Sequence, residues 1–477
     1  MARTNLPKEE ATIRTHQGAL AAKESPEKEL LRTVSACLLW EDTHYERGVD
    51  VAKRIADLSR KVSLKFLSDL AVRAREELKL RHAPLYLALQ MLSHKTDEQK
   101  ERNIISETIA RVIHRADELA EIVSLWWKDG KKPLPRQLKG GIAKAFRKFD
   151  AYQLSKWNRD NAVKLRDVLF LSHAKPKDEE QAALWKKLVD GTLESAETWE
   201  VRCSRGEAKK DVFTDLLQKG KLGYMALLAN LRNMAEAGVD KTLVEEALVK
   251  GAPKSWALPF RFITAARHAP QFEEALGKAV VAAASALPKM SGHTLLVIDV
   301  SGSMWTRFSS KSELSRVDAA NGLAILMREQ CEEITIYATA GYDHLYQHRT
   351  EIVPSRHGFA LADAVKERER RLGGGGIFLK QCMDYIDQEE KGKQFDRVVV
   401  ITDEQDCDRA SPERSASKAK KLGRRNYIVN VGVYEPALPV TGAGWIRVSG
   451  FSERLVDWMM ADEKLEVEGA SVGQQNQ

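Results

Sequence analysis

Thr294-Leu-Leu-Val-Ile-Asp299-Val-Ser301-Gly-Ser303-Met304 decides the fold of the C-terminal part of this chain. An unbroken run of Leu, Val and Ile without polar alternation suits a strand covered on both faces, and ligands of open α/β sheets sit where such strands end. The run breaks into Asp-x-Ser-x-Ser, which places one carboxylate and two hydroxyls in the following loop. Asp299, Ser301 and Ser303 are thus candidate oxygen ligands for a hard divalent cation, with Mg²⁺ favoured because it keeps several waters.

A second apolar burst, Arg397-Val-Val-Val-Ile-Thr402-Asp403-Glu404, also ends in acids. A neighbouring parallel strand would set Asp403 opposite Asp299. Around these two bursts, strands alternate with helices: His293 to Val300, Leu314 to Cys331, Ile334 to Ala338, Ala360 to Arg371, Phe378 to Gln388, Arg397 to Ile401, Pro412 to Leu422 and Tyr427 to Val433. A short strand, Trp445 to Val448, and a helix, Glu453 to Met460, follow. Such alternation predicts a doubly wound parallel sheet.

Upstream the rhythm is helical. From about Glu27 to Leu287, apolar positions recur three and four apart in segments broken by short polar stretches, as in Pro26 to Leu39, Ser63 to Leu78, Ala83 to Leu92, Asp97 to Ile113 and Gly223 to Ala235. The scale of the pattern predicts an α-solenoid of HEAT-like helical hairpins, read from rhythm and not from a strict repeat. The expected organisation is a flexible segment 1–24, a helical-repeat domain 25–288, an α/β domain 289–462 and a flexible tail 463–477.

At 477 residues the chain is too long for one ordinary core, and its formal net charge of +7 permits a polyanionic partner without demanding one. The five cysteines are odd in number, widely spaced and never Cys-x-x-Cys, which fits reduced thiols in a cytoplasmic protein and not a disulfide frame or zinc knuckle. The first 24 residues have no apolar core, so no secretory signal is read there. The blandest apolar stretch, Ala275 to Leu287, is interrupted by Lys278 and reads as a packed helix, so no membrane partner is expected.

The most basic stretch runs from Trp126 to Phe149. On a helix opening near Pro135, Leu138, Ile142, Ala145 and Phe149 share one face, while Arg136, Lys144, Arg147 and Lys148 lie opposite, either as a cationic surface for phosphates or as an ordinary solvated face. Trp126 and Trp127 could stack bases or belong to the core.

Two resemblances join these observations. The strings Leu165-Arg-Asp-Val-Leu-Phe-Leu-Ser-His173-Ala-Lys175-Pro176, Arg81 to Leu92 and Tyr224 to Met234 resemble the TROVE module, the helical-repeat half of the Ro family of RNA-binding ring proteins. Asp299, Ser301, Ser303 and Asp403 resemble the metal-ion-dependent adhesion site of the von Willebrand factor A module, and TROVE followed by that module is the Ro order. The resemblance implies a ring-forming solenoid that binds small structured (Y-like) non-coding RNA and the single-stranded 3′ ends of misfolded RNA. It implies RNA contact at Lys156, Arg159 and His173; Lys175 beside them is a candidate additional phosphate contact or an ordinary surface lysine. A His before a Lys-Pro turn also has a plainer role, tying down its own loop. The chain departs from the adhesion-site pattern at Ile377, after Leu372-Gly-Gly-Gly-Gly376, where the pattern has a ligand Thr. Isoleucine cannot coordinate a cation, so water fills the gap, the site binds weakly, or the module keeps its shape without metal.

The leading expectation is therefore a non-catalytic, monomeric RNA-binding ring protein acting in ribonucleoprotein assembly and RNA quality control, whose A-like module docks an exoribonuclease or other protein. The alternative is a metal-dependent protein-adhesion scaffold. An enzyme reading rests on the acidic run Asp299, Asp403, Glu404, Asp406 and Asp408, but no phosphate loop, His-Glu-x-x-His or Gly-x-Ser-x-Gly accompanies it.

Overall fold

The computed structural model describes residues 25–36, 47–94, 99–255, 257, 259–308, 312–408, 412–432, 434, 444–450, 456, 459–460 and 463. The chain divides into two compact units between Ala283 and Ala284. The expected flexible segment 1–24 and, Glu463 apart, the tail 463–477 lie outside the described residues, as do Cys37 and most of the helix expected over 453–460.

In the first unit, helices follow one another with short breaks: α1 (Pro26–Ala36), α2 (Gly48–Ser59), α3 (Leu64–Glu76), α4 (His82–Gln90), α5 (Gln99–Val112), α6 (Asp117–Trp126), α7 (Arg136–Phe146), α8 (Ala151–Trp157), α9 (Leu165–Ser172) and α10 (Glu179–Asp190). Then come α11 (Trp199–Ser204), α12 (Lys209–Gln218), α13 (Tyr224–Ala229), α14 (Leu231–Glu236), α15 (Lys241–Gly251), α16 (Pro259–His268) and α17 (Glu273–Ser285). No described helix is long and apolar enough to cross a membrane.

Local chemistry sets several of these boundaries. Asp150 opens α8 with a reciprocal cap: its carboxylate accepts from Gln153 N at 2.7 Å, and Gln153 Oε1 accepts from Asp150 N at 3.1 Å. Ser63 and Asp178 cap α3 and α10 in the simpler way, and α10 stops at Gly191, whose φ of +72° a side chain would resist. Helices near in sequence pack together, α3 against α4 and α5, α5 against α7, and α7 against α9. The α5–α7 contact is close because α7 presents Gly141. A Cβ there would stand 2.5 Å from Ile109 Cβ, so the glycine sets the interhelical distance.

The helix expected over 223–235 is two helices. Asn230 separates them, its side-chain amide donating to Ala226 O at 2.9 Å, and an Asn that bonds local backbone competes with the helical ladder.

The second unit holds a six-stranded sheet of order β3-β2-β1-β4-β5-β6: β1 (Met290–Asp299), β2 (Cys331–Tyr342), β3 (Gln347–Val353), β4 (Phe395–Thr402), β5 (Gly423–Asn430) and β6 (Ile446–Ser449). Its helices are α18 (Arg316–Gln330), α19 (Phe359–Leu372) and α20 (Leu379–Glu389). Leu295 and Val297 of β1, Val398 and Val400 of β4 and Ile428 of β5 pack with Leu379, Cys382, Met383 and Ile386 of α20. The alternate residues Leu296 and Ile298 are equally buried, so the sheet is covered on both faces.

Two expectations are corrected here. The sheet is mixed and not all parallel, because β3 runs antiparallel to β2 as an edge strand. The stretch 412–422 forms no α-helix; it makes two single 3-10 turns, Pro412–Arg414 and Ala416–Lys418, although Ala416, Ala419 and Leu422 have helical spacing. Cys203, Cys331, Cys382 and Cys407 are free thiols, the last three buried.

Candidate nucleic-acid interface and candidate metal centre

The α8–α9 region carries the residues that the sequence singles out for RNA. Trp157, the last residue of α8, collects three cations. The Arg115 guanidinium lies 3.9 Å from its ring centroid, Arg159 lies at 5.1 Å and the Lys156 ammonium at 5.6 Å. Lys156 also stands 5.8 Å from the exposed Tyr152 ring. Cations over an indole face are held by its quadrupole, so Trp157 fixes the directions of side chains that would otherwise sample many rotamers. Arg115 is itself fixed from behind by Asp117, with hydrogen bonds of 3.0 and 2.7 Å.

His173 ends α9 in the left-handed conformation, φ 52°, with its N–H donating to Phe170 O at 3.1 Å. The imidazole is exposed and makes no hydrogen bond to the described residues, so it does not tie down its loop through the ring. That tie comes from α7: Arg147 Nε donates to Lys175 O at 2.8 Å. The structure thus places Lys156 and Arg159 together around Trp157, and joins Arg147 to the Lys175 loop after His173.

The remaining basic residues of α7 are apart from this group. Lys144 is ion-paired with Glu107 of α5, and Arg136 stands exposed at the first turn. Lys148, expected on the cationic face, instead donates to Ala110 O and Ile113 O at the end of α5, and burial pulls its ammonium below the usual lysine range. Trp126 and Trp127 are half-buried, their indole N–H groups held by Pro133 O and Lys132 O at 3.1 and 2.8 Å. Sequence reading missed Arg115, which meets Trp157 only through tertiary packing.

In the second unit, β1 and β4 pair in parallel and deliver Asp299 and Asp403 at their ends. Both are fully buried. Asp299 accepts from Ser301 N at 2.8 Å through one oxygen and from Thr402 Oγ1 at 2.5 Å through the other, while Ser301 and Ser303 hydroxyls stand 3.5 Å apart. Burial, and then the negative charge of Asp403, push the Asp299 carboxyl up to about 7. The glycine run threads close beneath: Gly302 N donates to Gly375 O at 3.2 Å, and Cβ atoms at Gly375 and Gly376 would lie 1.9 Å from Gly341 O and 2.0 Å from Cys407 Sγ. Ile377 is core, packed with Leu379 and Met383, its carbonyl accepting from Cys407 N at 2.9 Å.

The oxygen set of two carboxylates and two hydroxyls fits a hard divalent cation in kind. No group of three or more His, Cys, Asp or Glu side chains among the described residues is arranged to hold a metal. The other acids of the run turn elsewhere. Asp406 accepts from Leu379 N at the start of α20, Asp408 pairs with Gln381 and Arg414, and Glu404 forms a buried pair with Arg447. The five carboxylates therefore do not converge on one point.

Residues 191–333 match the model of the TROVE domain, a span reaching from the end of α10 through α18 to the first residues of β2. No curated protein matches the chain. Among solved structures it is similar to the crystal structure of the Deinococcus radiodurans Ro (RSR) protein, with a TM-score of 0.58 and 18% identity, over 90% of this chain and 97% of that one. The chain thus shares its fold with a Ro protein and carries a TROVE-matching segment.

Proposed function

We propose that this chain is a Ro-like RNA-binding protein, a non-catalytic, cytoplasmic monomer that holds small structured non-coding RNA and single-stranded 3′ ends of misfolded RNA in ribonucleoprotein assembly and quality control. The observation that carries the reading is the gathering of Lys156 and Arg159 about Trp157 at the end of α8, with the exposed ring of His173 left open at the end of α9. Positioned cations contact phosphates and release counterions, so affinity falls steeply with salt. The TROVE match and the shared fold support the same reading. The finer elements, ring threading of 3′ ends and docking of an exoribonuclease on a von Willebrand A-like module, rest on the sequence resemblance.

A labelled hairpin RNA with an unpaired 3′ tail, compared with its blunt form across a salt series, tests it. Lys156→Ala/Arg159→Ala/His173→Ala is expected to weaken binding roughly a hundredfold at low salt, and to flatten the log–log salt slope by about 2, one unit per lost phosphate contact. Unchanged affinity and slope in the triple variant would remove the reading, and equal binding of tailed and blunt forms would remove its 3′-end element.

The alternative, a cation-dependent protein-adhesion scaffold, is favoured by the Asp299, Ser301, Ser303 and Asp403 oxygen set. A bound Mg²⁺ would neutralise the two buried carboxylates and supply a Lewis-acidic position for a partner's carboxylate. Millimolar Mg²⁺ is expected to raise the wild-type Tm by several degrees and leave Asp299→Asn unchanged, since a ligand that binds only the folded state stabilises it. Equal Mg²⁺ responses in the two proteins would show that the site holds no cation.

A further inference from the structure

The exposed face of α9 is a single stripe. Arg166 and Phe170 are exposed at positions i and i+4, and His173 is exposed just past the helix end, while Leu165, Val168, Leu169 and Ser172 are buried. That spacing sets a guanidinium and a phenyl ring one turn apart on one helix face, and the left-handed His173 follows at its end. Phe170 is 60% exposed, although an aromatic ring on a two-sided helix ordinarily turns to the core. Single exposed apolar side chains need no explanation by themselves. This one has Arg166 one turn before it and His173 at the helix end, and it lies one helix after the Lys156 and Arg159 pair.

We infer that Phe170 is a stacking platform for an unpaired RNA base, with Arg166 and His173 taking the phosphates or ribose on either side. The inference rests on the RNA-binding reading and names the part of the RNA that this face reads. Stacking on a phenyl ring recognises any base with a free π-face and excludes paired ones, whose faces are already covered. The charge around the ring selects a nucleic acid over an apolar peptide. Asp167, the nearest acid on α9, caps the helix by accepting from Lys164 N at 3.4 Å and stands 3.6 Å from Arg166 Nε, an exposed pair that an RNA phosphate would compete with, and Asp160 is ion-paired with Lys164.

The platform is also held in place before any ligand arrives. α9 is capped at its start by Asp167, and at its end the left-handed His173 leads into a loop fixed by the Arg147–Lys175 hydrogen bond. A ring with two torsions on a fixed helix loses little entropy on binding.

The test uses a hairpin RNA with unpaired adenosines in its loop and 3′ tail, and the same RNA made abasic at those positions. Phe170→Ala is expected to weaken binding of the base-bearing RNA about tenfold, to leave the abasic RNA and the salt slope unchanged, and to be restored by Phe170→Trp. Its melting temperature should match wild type, because the ring is mostly outside the core. Binding by Phe170→Ala within twofold of wild type on the base-bearing RNA overturns the stacking role, and so does an equal loss on both RNAs. In either case, continued weakening by Lys156→Ala/Arg159→Ala would leave the RNA reading standing. Equal affinity of that double variant and wild type would instead remove both.

Discussion

Glu118→Ala is expected to lower the unfolding free energy by about 3–5 kcal/mol, seen as a large drop in the urea midpoint with little change in slope. Glu118 is fully buried at the start of α6 and serves three donors at once. Its Oε1 accepts from Arg75 Nη2 at 2.6 Å, and its Oε2 accepts from His114 N at 2.8 Å and Arg115 N at 3.1 Å. Arg75 is almost as buried, and burial already holds its guanidinium below the usual arginine range despite the neighbouring carboxylate. Alanine would leave that charge without its counterion in a low-dielectric interior and remove the acceptor of the His114 and Arg115 backbone N–H groups. The damage should extend to the candidate RNA face. The Arg115 backbone hangs on Glu118 and its side chain supports Trp157, so RNA affinity should fall with stability. Glu118→Gln keeps the shape and should cost less than alanine. A loss under about 1 kcal/mol for alanine would mean that desolvation of the pair nearly cancels its attraction.

How much of this was legible in the sequence follows from which forces are local. Leu295–Ile298 and Val398–Ile401 announce themselves because a strand covered on both faces must be apolar at every position, and both are strands with the acids at their ends. β3 was hidden because an edge strand alternates and is mostly polar: Gln347, His348, Arg349 and Glu351 leave only Ile352 and Val353 as apolar signal. The stretch 412–422 misled for the opposite reason, since three apolar residues at helical spacing are also satisfied by two tight turns laid on the core. In the candidate RNA face, Lys156, Arg159 and His173 were named through the resemblance of the Leu165–Pro176 string to the TROVE module. Arg115 could not be, because 42 positions of chain separate it from Trp157 and only tertiary packing brings the two together. Ile377, standing where the adhesion-site pattern has a ligand Thr, lies in the core under α20.

The same limit hid the partner of Glu404, whose removal should be nearly as costly as that of Glu118. Glu404 follows Asp403 in the loop after β4 and sits at a φ of +56°, a conformation that a side-chain-bearing residue holds only when its surroundings compel it. The compulsion comes from β6. Arg447 Nε and Nη2 reach the two carboxylate oxygens at 2.6 and 2.8 Å, Asn430 Nδ2 adds a bond of 2.8 Å, and both charged side chains are almost wholly buried. Arg447→Met fills the space but leaves Glu404 ionised in the interior, and about 3–5 kcal/mol of destabilisation is expected in urea unfolding. Glu404→Gln together with Arg447→Met removes both charges and should recover most of that loss, because a buried pair is defended chiefly by what its breaking leaves behind. Since Glu404 is the next residue after Asp403, the single variant should also blunt any Mg²⁺-induced rise in Tm, and the double variant should restore part of it. A double variant no more stable than the single one would assign the cost to lost packing of the arginine stem, and the loop would then be held by shape and not by charge.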